Sequence, residues 1–358
     1  MEAYKASKIN FPNIYEKELL KLNNEAMFKI GEFKYALKTL NFDYNYYLDL
    51  LFDIDSSYSL YFDEESKNIE DVFYLDYMKD KNNKQRFLNY KKAFLYAYKC
   101  INNENYTKEM FNELNKKIIG KNKKSKSNEI GKYRNKQAYV TKMGLVGKEI
   151  DYVPVNYKDI KELMSDYFDY LNSERKYPLI EIAIMNYQFE TVHPYMEANG
   201  RISRLMVPIF YSDYFNTVPL LFISKNLYKN KNTYFKSLNE ARNGNIKVFV
   251  KFFLITIIDN CNNNIKMIEE LNKTFKDDLK YAEEEIGGTL IYKVIPYMQS
   301  KPIFTINDLV KNLNLHINSV NKVLNNLIKI GLVSKEKKDN MNRVTFKYIN
   351  AYNIYLKN

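Results

Sequence analysis

The sequence predicts a mainly α-helical protein with a small β-hairpin and a C-terminal module of three helices followed by two strands. Apolar residues recur every three or four positions over most of the chain, which is the period of an amphipathic helix. Two short apolar stretches lie on either side of Gly144 and Gly147, which predicts a hairpin. After Gly287-Gly288 the pattern changes, and this change marks the C-terminal module.

The first 115 residues are predicted to form an N-terminal helical region. Helical periodicity is clearest over residues 16–40 and 89–100. Residues 116–136 are rich in Lys, Asn, Ser and Gly, which is typical of a solvated loop. The hairpin follows this loop, with strands predicted at 137–141 and 152–155.

A core region is predicted over residues 116–260, followed by a connector over 261–285. Its helical segments are predicted at 158–171, 179–192, 200–211, 233–242 and 246–258. A long helix with a polar face, 264–285, is predicted to join the core to the C-terminal module.

The C-terminal module, residues 286–358, has the element order of a winged helix-turn-helix. After a helix at 290–298, Thr305 is predicted to cap a second helix, with Asp308 at the capping-box position and Leu309, Val310 and Leu313 buried. Asn318 is predicted to cap a third, with Val320, Val323, Leu324, Leu327 and Ile328 inward, and strands are predicted at 332–335 and 343–348. His316 is interpreted as structural or exposed. The third helix and wing carry a basic set that either contacts DNA phosphates or belongs to a protein-interaction or dimerisation module: Lys322, Lys329, Lys335, Lys337, Lys338, Arg343 and Lys347.

Composition limits the class of protein. The 358 residues are 46% hydrophobic, enough for two or three packed domains. The net charge of +12 is compatible with an anionic partner or with lysines spread over solvated helix faces. Cys100 and Cys261 are far apart and form neither a disulfide framework nor a zinc pattern, which favours a cytoplasmic protein with buried or half-buried thiols. The apolar run at 248–258 contains Lys251 and is too short to cross a membrane.

Twelve residues from His193 to Arg204 contain a base, an acid, an amide, a glycine and two arginines. Pro194 ends the preceding helix, because the residue before a proline avoids the right-handed α region. A new helix is predicted to start at Gly200, and a helix start binds phosphate through its unpaired N–H groups. The sequence therefore predicts a phosphate-chemistry site at this loop.

Each side chain of the loop suits one part of that chemistry. His193 is the natural base for a hydroxyl nucleophile, and Glu197 can hold Mg²⁺ against phosphates. Asn199 can donate to a phosphate oxygen where charge develops. Arg201 and Arg204 can fork onto phosphate oxygens or a carboxylate, although ordinary ion pairing stays open for Arg204.

The stretch His193-Pro-Tyr-Met-Glu-Ala-Asn-Gly-Arg-Ile-Ser-Arg204 resembles the signature of the Fic family, with Tyr195 in place of Phe. Tyr195 should anchor the loop in the core and needs a partner for its hydroxyl. Three further segments fit the family: Gly131-Lys-Tyr-Arg134 before the hairpin, Tyr187-Gln-Phe-Glu190 and Tyr234-Phe-Lys-Ser-Leu238. The resemblance covers roughly residues 60–350 and implies a Fic-type helical core with a hairpin flap and a C-terminal winged helix.

The resemblance implies transfer of AMP from ATP to a Tyr, Ser or Thr hydroxyl of a protein, including this chain itself, with Mg²⁺ bound. His193 would take the hydroxyl proton and Glu197 would hold the metal. The remaining implied roles are transition-state contacts from the loop at Ala198 and Asn199, β-phosphate contacts from Gly200 and Arg201, a γ-phosphate contact from Arg204, and an adenine contact from Tyr234. The hairpin at 138–153 would register the target segment by strand addition.

A second motif bears on regulation. Ser66-Lys-Asn-Ile-Glu70-Asp71 resembles the family's inhibitory motif, with Asp71 where Gly or Asn is usual. The resemblance implies that Glu70 pairs with Arg204 and takes the place of the γ-phosphate. The predicted protein is then an autoinhibited adenylyltransferase.

Other functions stay open at this point. The same site could remove AMP from a modified protein or transfer a different nucleotide or phosphate group. The chain could also be a DNA-binding regulator with a nucleotide-sensing core. A homodimer is compatible with all of these.

Overall fold

The structure is a computed structural model that describes residues 2–62, 69–79, 81–101, 105–120, 129–144, 147–337 and 343–357. In these ranges the chain is mainly helical, with two small antiparallel sheets, as the sequence predicts. The chain divides into two compact units that are discontinuous in sequence. The first comprises residues 1–27, 58–63 and 85–258, and the second comprises 28–57, 64–84 and 259–358.

The N-terminal half is helical up to the hairpin. Its elements are α1 (Lys17–Leu37), α2 (Tyr44–Leu60), a 3₁₀ helix (Ile69–Tyr74), α3 (Lys81–Cys100) and α4 (Lys108–Ile119). The predicted helices at 16–40 and 89–100 correspond to α1 and the second half of α3, whereas α2 was not predicted. Helix α4 continues four residues into the predicted loop at 116–136, because Ile118 is buried on its apolar face and Gly120 ends the helix at φ +64°.

The hairpin consists of β1 (Val140–Gly144) and β2 (Gly147–Tyr152), which pair in an antiparallel register with Val140 opposite Tyr152. The predicted second strand at 152–155 is wrong in its extent, since β2 ends where that strand was expected to begin. Pro154 has no N–H to give to a ladder. The Val153 carbonyl instead accepts a hydrogen bond from the Tyr4 N–H at 3.0 Å.

The core of the first unit is built around a helix buried on every side. The remaining elements of this unit are α5 (Ile160–Leu171), α6 (Pro178–Val192), α7 (Asn199–Phe215), α8 (Ser224–Lys229), α9 (Lys231–Arg242) and the first part of α10 (Ile246–Glu285). Nearly all residues of α6 are buried. The rings of Phe111, Tyr167 and Phe189 pack edge-to-face or tilted, with centroids 5.5–6.0 Å apart, behind the end of α6. This cluster gives the loop after α6 a rigid base.

One continuous helix, α10, replaces the two helices predicted at 246–258 and 264–285. It is 40 residues long. The polar residues near residue 260 suggested a break, but the helix accommodates them, because Asn262 and Asn263 are exposed and Asn264 is hydrogen-bonded. Asn264 donates to the Asn260 carbonyl at 2.8 Å and accepts from the Tyr47 hydroxyl at 2.9 Å. Cys261 is buried, whereas Cys100 is half-buried, as predicted for the two thiols.

The C-terminal part of the second unit contains the predicted three helices and two strands. Its elements are α11 (Ile291–Ser300), β3 (Ile303–Phe304), α12 (Ile306–Leu313), α13 (Ile317–Lys329), β4 (Val333–Glu336), β5 (Thr345–Tyr348) and α14 (Ile349–Lys357). The strand order is β3-β5-β4, all antiparallel. The sequence did not predict β3, which is only two residues long, or α14.

Local caps fix the two central helices of this module. Thr305 and Asp308 form the predicted capping box of α12. The predicted cap of α13 was wrong by two residues: His316 is the N-cap, and its Nδ1 accepts from the Asn318 N–H at 3.3 Å. The imidazole Nδ1 supplies the acceptor that an Asn cap would have given. The prediction that His316 is structural or exposed is confirmed.

Across the described residues, the helices include none with the length and apolar character that crossing a bilayer requires.

Candidate active site

A six-residue loop between α6 and α7 carries the predicted site. It begins at His193, which ends α6 in the left-handed conformation at φ 51°, and finishes at Ala198, which precedes α7 at φ 72°. Pro194 follows His193 and prevents continuation of the helix, as predicted. Left-handed backbone is unfavourable for residues with a Cβ atom, by about 1 kcal/mol or more each. The loop therefore needs contacts that hold it in place.

Arg134 supplies most of these contacts. The hydrogen-bond acceptors of its side chain, among the described residues, are backbone carbonyls: His193 at 2.9 Å, Val155 at 2.5 Å, Val192 at 3.3 Å and Lys136 at 3.3 Å. Its own N–H donates to the Pro194 carbonyl at 2.9 Å. Burial lowers the pKa of Arg134 to about 10, so the guanidinium stays charged at neutral pH. The arginine thus ties the start of the loop to both flanks of the hairpin.

His193 is neutral in this setting. Its pKa is lowered to about 3, first by burial and then by the positive charges of Arg134 and Arg242. The imidazole can therefore accept a proton at any physiological pH. A phosphate anion next to the ring would oppose the two arginines and raise its basicity when nucleotide binds.

Tyr195 anchors the loop as predicted. It is 1% exposed, and its hydroxyl donates to Asn112 Oδ1 at 2.9 Å. Asn199 closes the loop on the backbone of the same tyrosine: its Oδ1 accepts from the Tyr195 N–H at 2.9 Å, and its Nδ2 donates to the Tyr195 carbonyl at 2.8 Å. Asn199 is itself buried, so its first task is to shape the loop.

Glu197 lies on the exposed side of the loop. Its backbone carbonyl accepts from Asn115 Nδ2 at 2.9 Å, which fixes the position of the residue while its carboxylate faces outward. Among the described residues, no three Asp, Glu, His or Cys side chains cluster in a way that could hold a metal ion. A cation here would be held by one carboxylate with phosphates and water, and Mg²⁺ accepts that coordination.

Helix α7 begins at the loop with Asn199, Gly200 and Arg201. Its first internal hydrogen bond runs from the Ile202 N–H to the Ala198 carbonyl at 2.9 Å. The N–H groups before Ile202 have no acceptor within the helix, and they can bind an anion at its positive end. The first turn contains no acidic residue.

Arg204 is 4% exposed and is held by the end of α2. Its Nε donates to Ser59 Oγ at 3.1 Å and its Nη2 donates to the Ser59 carbonyl at 2.9 Å. Its Cζ lies 4.2 Å from the centroid of the Phe62 ring. These partners are neutral, so phosphate oxygens would compete well for the guanidinium.

Two lysines contact the same segment at the end of α2. Lys231 Nζ donates to the Phe62 carbonyl at 2.6 Å, and Lys225 Nζ lies 5.7 Å from the Tyr58 ring. Burial lowers the pKa of Lys225 to about 8, with Lys229 acting in the same direction. Residues 58–62 therefore contact two lysines as well as Arg204. No sequence pattern indicates this arrangement, because it depends on tertiary packing.

A buried network behind α7 was also missed at the sequence level. Glu190 Oε1 accepts from Ser203 Oγ at 2.9 Å and from the Tyr234 hydroxyl at 3.5 Å. Asn186 in turn donates to Ser203 Oγ at 2.9 Å. Tyr234 is 1% exposed. Glu190 and Tyr234 are 44 residues apart, so no sequence pattern indicates that they pair. The adenine contact predicted for Tyr234 stays a prediction.

The inhibitory residues predicted from the second motif belong to the second unit. Ser66 lies outside the described residues, whereas Glu70 is in the 3₁₀ helix. The Glu70 carboxylate is close enough to Tyr352 and Tyr74 to raise the pKa of both hydroxyls, after the larger effect of burial. The Glu70–Arg204 pair stays a prediction.

Comparison with solved structures defines the class of fold. The chain superposes on a Fic family protein from Desulfovibrio desulfuricans G20 with a TM-score of 0.58 and 15% identity, over 96% of this chain and 98% of that one. Fic-1 from C. elegans (residues 134–508) matches with a TM-score of 0.53 and 16% identity, over 70% and 73% of the two chains. The fold is therefore that of Fic proteins.

Sequence comparison identifies the domain. Residues 105–211 match the model of the Fic/DOC family, so the chain contains a Fic domain. A protein adenylyltransferase Fic from Nematostella vectensis is 29% identical over 128 residues, 35% of this chain and 26% of that protein. Protein adenylyltransferase fic-1 from Caenorhabditis briggsae is 27% identical over 143 residues, 39% and 25%. The matched segments span about a quarter of the length of these relatives.

A side chain at Gly200 is predicted to displace the Arg204 guanidinium. A Cβ at this position would lie 2.8 Å from Arg204 Nη1 and 3.3 Å from Glu190 Oε1. Gly200→Ala should therefore displace the Arg204 guanidinium and weaken ATP binding about tenfold, as expected for loss of a charge-assisted hydrogen bond. Titration calorimetry with ATP measures this. Gly31→Ala is the matched control, because its Cβ would meet nothing within 4 Å. Unchanged ATP affinity in Gly200→Ala would contradict the prediction.

Proposed function

We propose that this protein transfers AMP from ATP to a hydroxyl of a protein side chain. The observation that carries the proposal is the loop from His193 to Arg204, where a neutral base stands beside a helix N-terminus with two arginines in its first turns. The Fic domain over residues 105–211 and the relatives named as adenylyltransferases support the same reaction.

In this proposal His193 accepts the proton of the incoming hydroxyl. The hydroxyl oxygen then bonds to the α-phosphorus of ATP, the bond to the bridging oxygen breaks, and pyrophosphate leaves. The N–H groups at the start of α7, from Ala198 to Arg201, bind phosphate oxygens whose charge changes during transfer. Arg201 binds the β-phosphate and Arg204 the γ-phosphate. Asn199 holds the loop in shape through its bonds to Tyr195, and its second amide N–H is proposed to donate to a phosphate oxygen. Tyr234 is proposed to lie near the adenine.

Glu197 is proposed to hold Mg²⁺, with the remaining ligands coming from phosphates and water. Its exposed carboxylate on a fixed backbone fits that mode of binding. The ion, when bound, would neutralise phosphate charge, and Glu197 would be the residue of this chain that holds it.

The target is proposed to bind along the hairpin by adding a strand to the β1–β2 ladder. Hydrogen bonds from Arg134 join the flanks of this hairpin to His193. A hydroxyl on the added strand would therefore lie at a fixed position with respect to the His193 imidazole. A cytoplasmic location is part of the proposal, supported by the two free thiols, Cys100 and Cys261. A second copy of this chain is one protein target that the proposal allows.

The transfer predicts labelling of protein by ATP that carries a label on its α-phosphate. His193→Ala should reduce labelling by at least about a hundredfold while ATP binding persists, because general-base catalysis contributes that much. UTP and GTP in parallel separate adenylyl transfer from transfer of another nucleotide. Incubation with AMP-modified protein tests removal instead. Normal labelling by His193→Ala would show that the base is wrongly assigned.

We further propose that the resting chain is autoinhibited through Arg204. In the predicted form, Glu70 of the Ser66–Asp71 motif pairs with Arg204 and displaces the γ-phosphate. Ser59 and Phe62 are additional candidates, since both contact the guanidinium directly. ATP must replace these contacts before its γ-phosphate can bind Arg204. Each contact therefore lowers the fraction of bound ATP that lies in the pose required for AMP transfer.

Single variants separate the two sources of inhibition. Glu70→Gly and Glu70→Gln should each raise labelling about tenfold, as expected from removal of one charged interaction, whereas the neighbouring Asp71→Asn should not. Phe62→Ala should raise labelling through loss of the contact with the guanidinium. A rise in Phe62→Ala alone would exclude Glu70 as the inhibitor. No rise in any variant would contradict autoinhibition.

A second candidate function, binding of duplex DNA by a winged helix-turn-helix in the C-terminal module, is favoured by charge. Residues 286–358 contain 11 basic and 3 acidic residues, whereas residues 1–285 contain 44 and 40. Basic residues are equally dense in the two parts, so the net positive charge of the C-terminal module comes from its lack of acidic residues. A protein surface with few acids and many bases attracts the phosphates of nucleic acid. Affinity of the full chain for a 24-base-pair duplex should fall steeply between about 50 and 200 mM salt. Absence of binding at 50 mM would exclude this function.

A further inference from the structure

The outward face of α13 carries an alternating stripe of amides and ammonium groups. Asn318, Lys322, Asn325 and Lys329 are spaced by four, three and four residues, which places them on one side of a helix. All four are exposed. This stripe of four residues is called the α13 stripe below.

The opposite face of α13 is apolar and packs in the core of the C-terminal module. Val320, Val323, Leu324 and Leu327 are buried and point away from the stripe. Helix α12 precedes α13 through a short turn, in which Asn314 adopts the left-handed conformation at φ 50° and His316 caps α13. The packing therefore fixes which side of α13 faces outward, in the order of a helix-turn-helix.

Acidic side chains are absent from the sequence around the stripe. No Asp or Glu occurs between Asp308 and Glu336. Both of these flanking acids are engaged: Asp308 accepts from the Tyr77 hydroxyl at 2.5 Å, and Glu336 pairs with Lys347 at 2.5 Å. Exposed Lys335, Lys337 and Arg343 lie at the ends of β4 and β5. A polyanion can approach without meeting an unpaired carboxylate among the described residues of this segment.

We propose that the α13 stripe enters the major groove of duplex DNA and recognises A·T pairs, an inference that rests on the proposed DNA contact. An asparagine amide donates to N7 and accepts from the N6 amino group of adenine, whereas the same amide does not match both major-groove acceptors of guanine. The two lysines reach phosphates on either side of the groove. Asn318 lies in the first turn of α13, where recognition helices contact base edges.

The test uses the full chain and two 24-base-pair duplexes, one A·T-rich and one G·C-rich, in fluorescence anisotropy at several salt concentrations. Wild type should bind the A·T-rich duplex more tightly. Asn318→Ala and Asn325→Ala should each reduce that preference about tenfold with little change in salt dependence, since each removes a base contact. The double variant Lys322→Gln, Lys329→Gln should weaken binding to both duplexes and lower the salt slope by about two.

Matched controls lie on the exposed face of α10. The double variant Lys273→Gln, Lys280→Gln removes the same charge, and Asn263→Ala removes an exposed amide. Both controls should bind like wild type. Equal affinity for the two duplexes, or controls that behave like the stripe variants, would overturn the proposed recognition while leaving DNA binding intact. Absence of salt-dependent binding would overturn both and favour a protein partner for the module.

Discussion

The loop from His193 to Ala198 depends on the hydrogen bonds that Arg134 donates to backbone carbonyls on both of its flanks. This set of hydrogen bonds is called the Arg134 clamp below. The loop begins and ends with left-handed residues that carry a Cβ atom, His193 and Ala198, and such a backbone persists only when its surroundings fix it. Arg134 meets this need by donating to carbonyls on both sides of the break at Pro194. A lysine could not replace it, because the planar guanidinium offers five donors in a fixed arrangement and the ammonium offers three.

The same arginine sets the chemistry of the base. Its described side-chain acceptors are carbonyl dipoles, so its positive charge is not neutralised by a carboxylate within that set. Burial lowers the pKa of His193 most, and this charge together with that of Arg242 lowers it further, so the imidazole stays unprotonated. The clamp therefore joins three properties: the shape of the loop, the protonation state of the base and the attachment of the hairpin. In the proposed reaction, the phosphates of ATP would supply the opposing charge that raises the pKa of the base.

Sequence patterns predicted the parts of the protein that local physics determines. The helical period located the ends of α5, α6 and α7 to within four residues, and Pro194 located the break before the loop. The need of Tyr195 for a buried partner was also predictable. The position of Asn112, the Ser59 contact with Arg204 and the Glu190 network were not, because each joins residues far apart in sequence. The break predicted in α10 failed because the Asn264 amide donates to the Asn260 carbonyl within the helix and accepts from the Tyr47 hydroxyl of α2.

The central claim is that burial and the charge of Arg134 together keep His193 neutral, and the pKa of that imidazole tests the claim most directly. The chain has two histidines. His316→Asn retains a good helix cap and leaves His193 as the single imidazole. Titration of its ¹⁵N signals by NMR should show a neutral ring down to about pH 4, in keeping with the pKa of about 3. Arg134→Gln should move the midpoint upward. A midpoint at 6 or above in the protein with Arg134 intact would contradict the account.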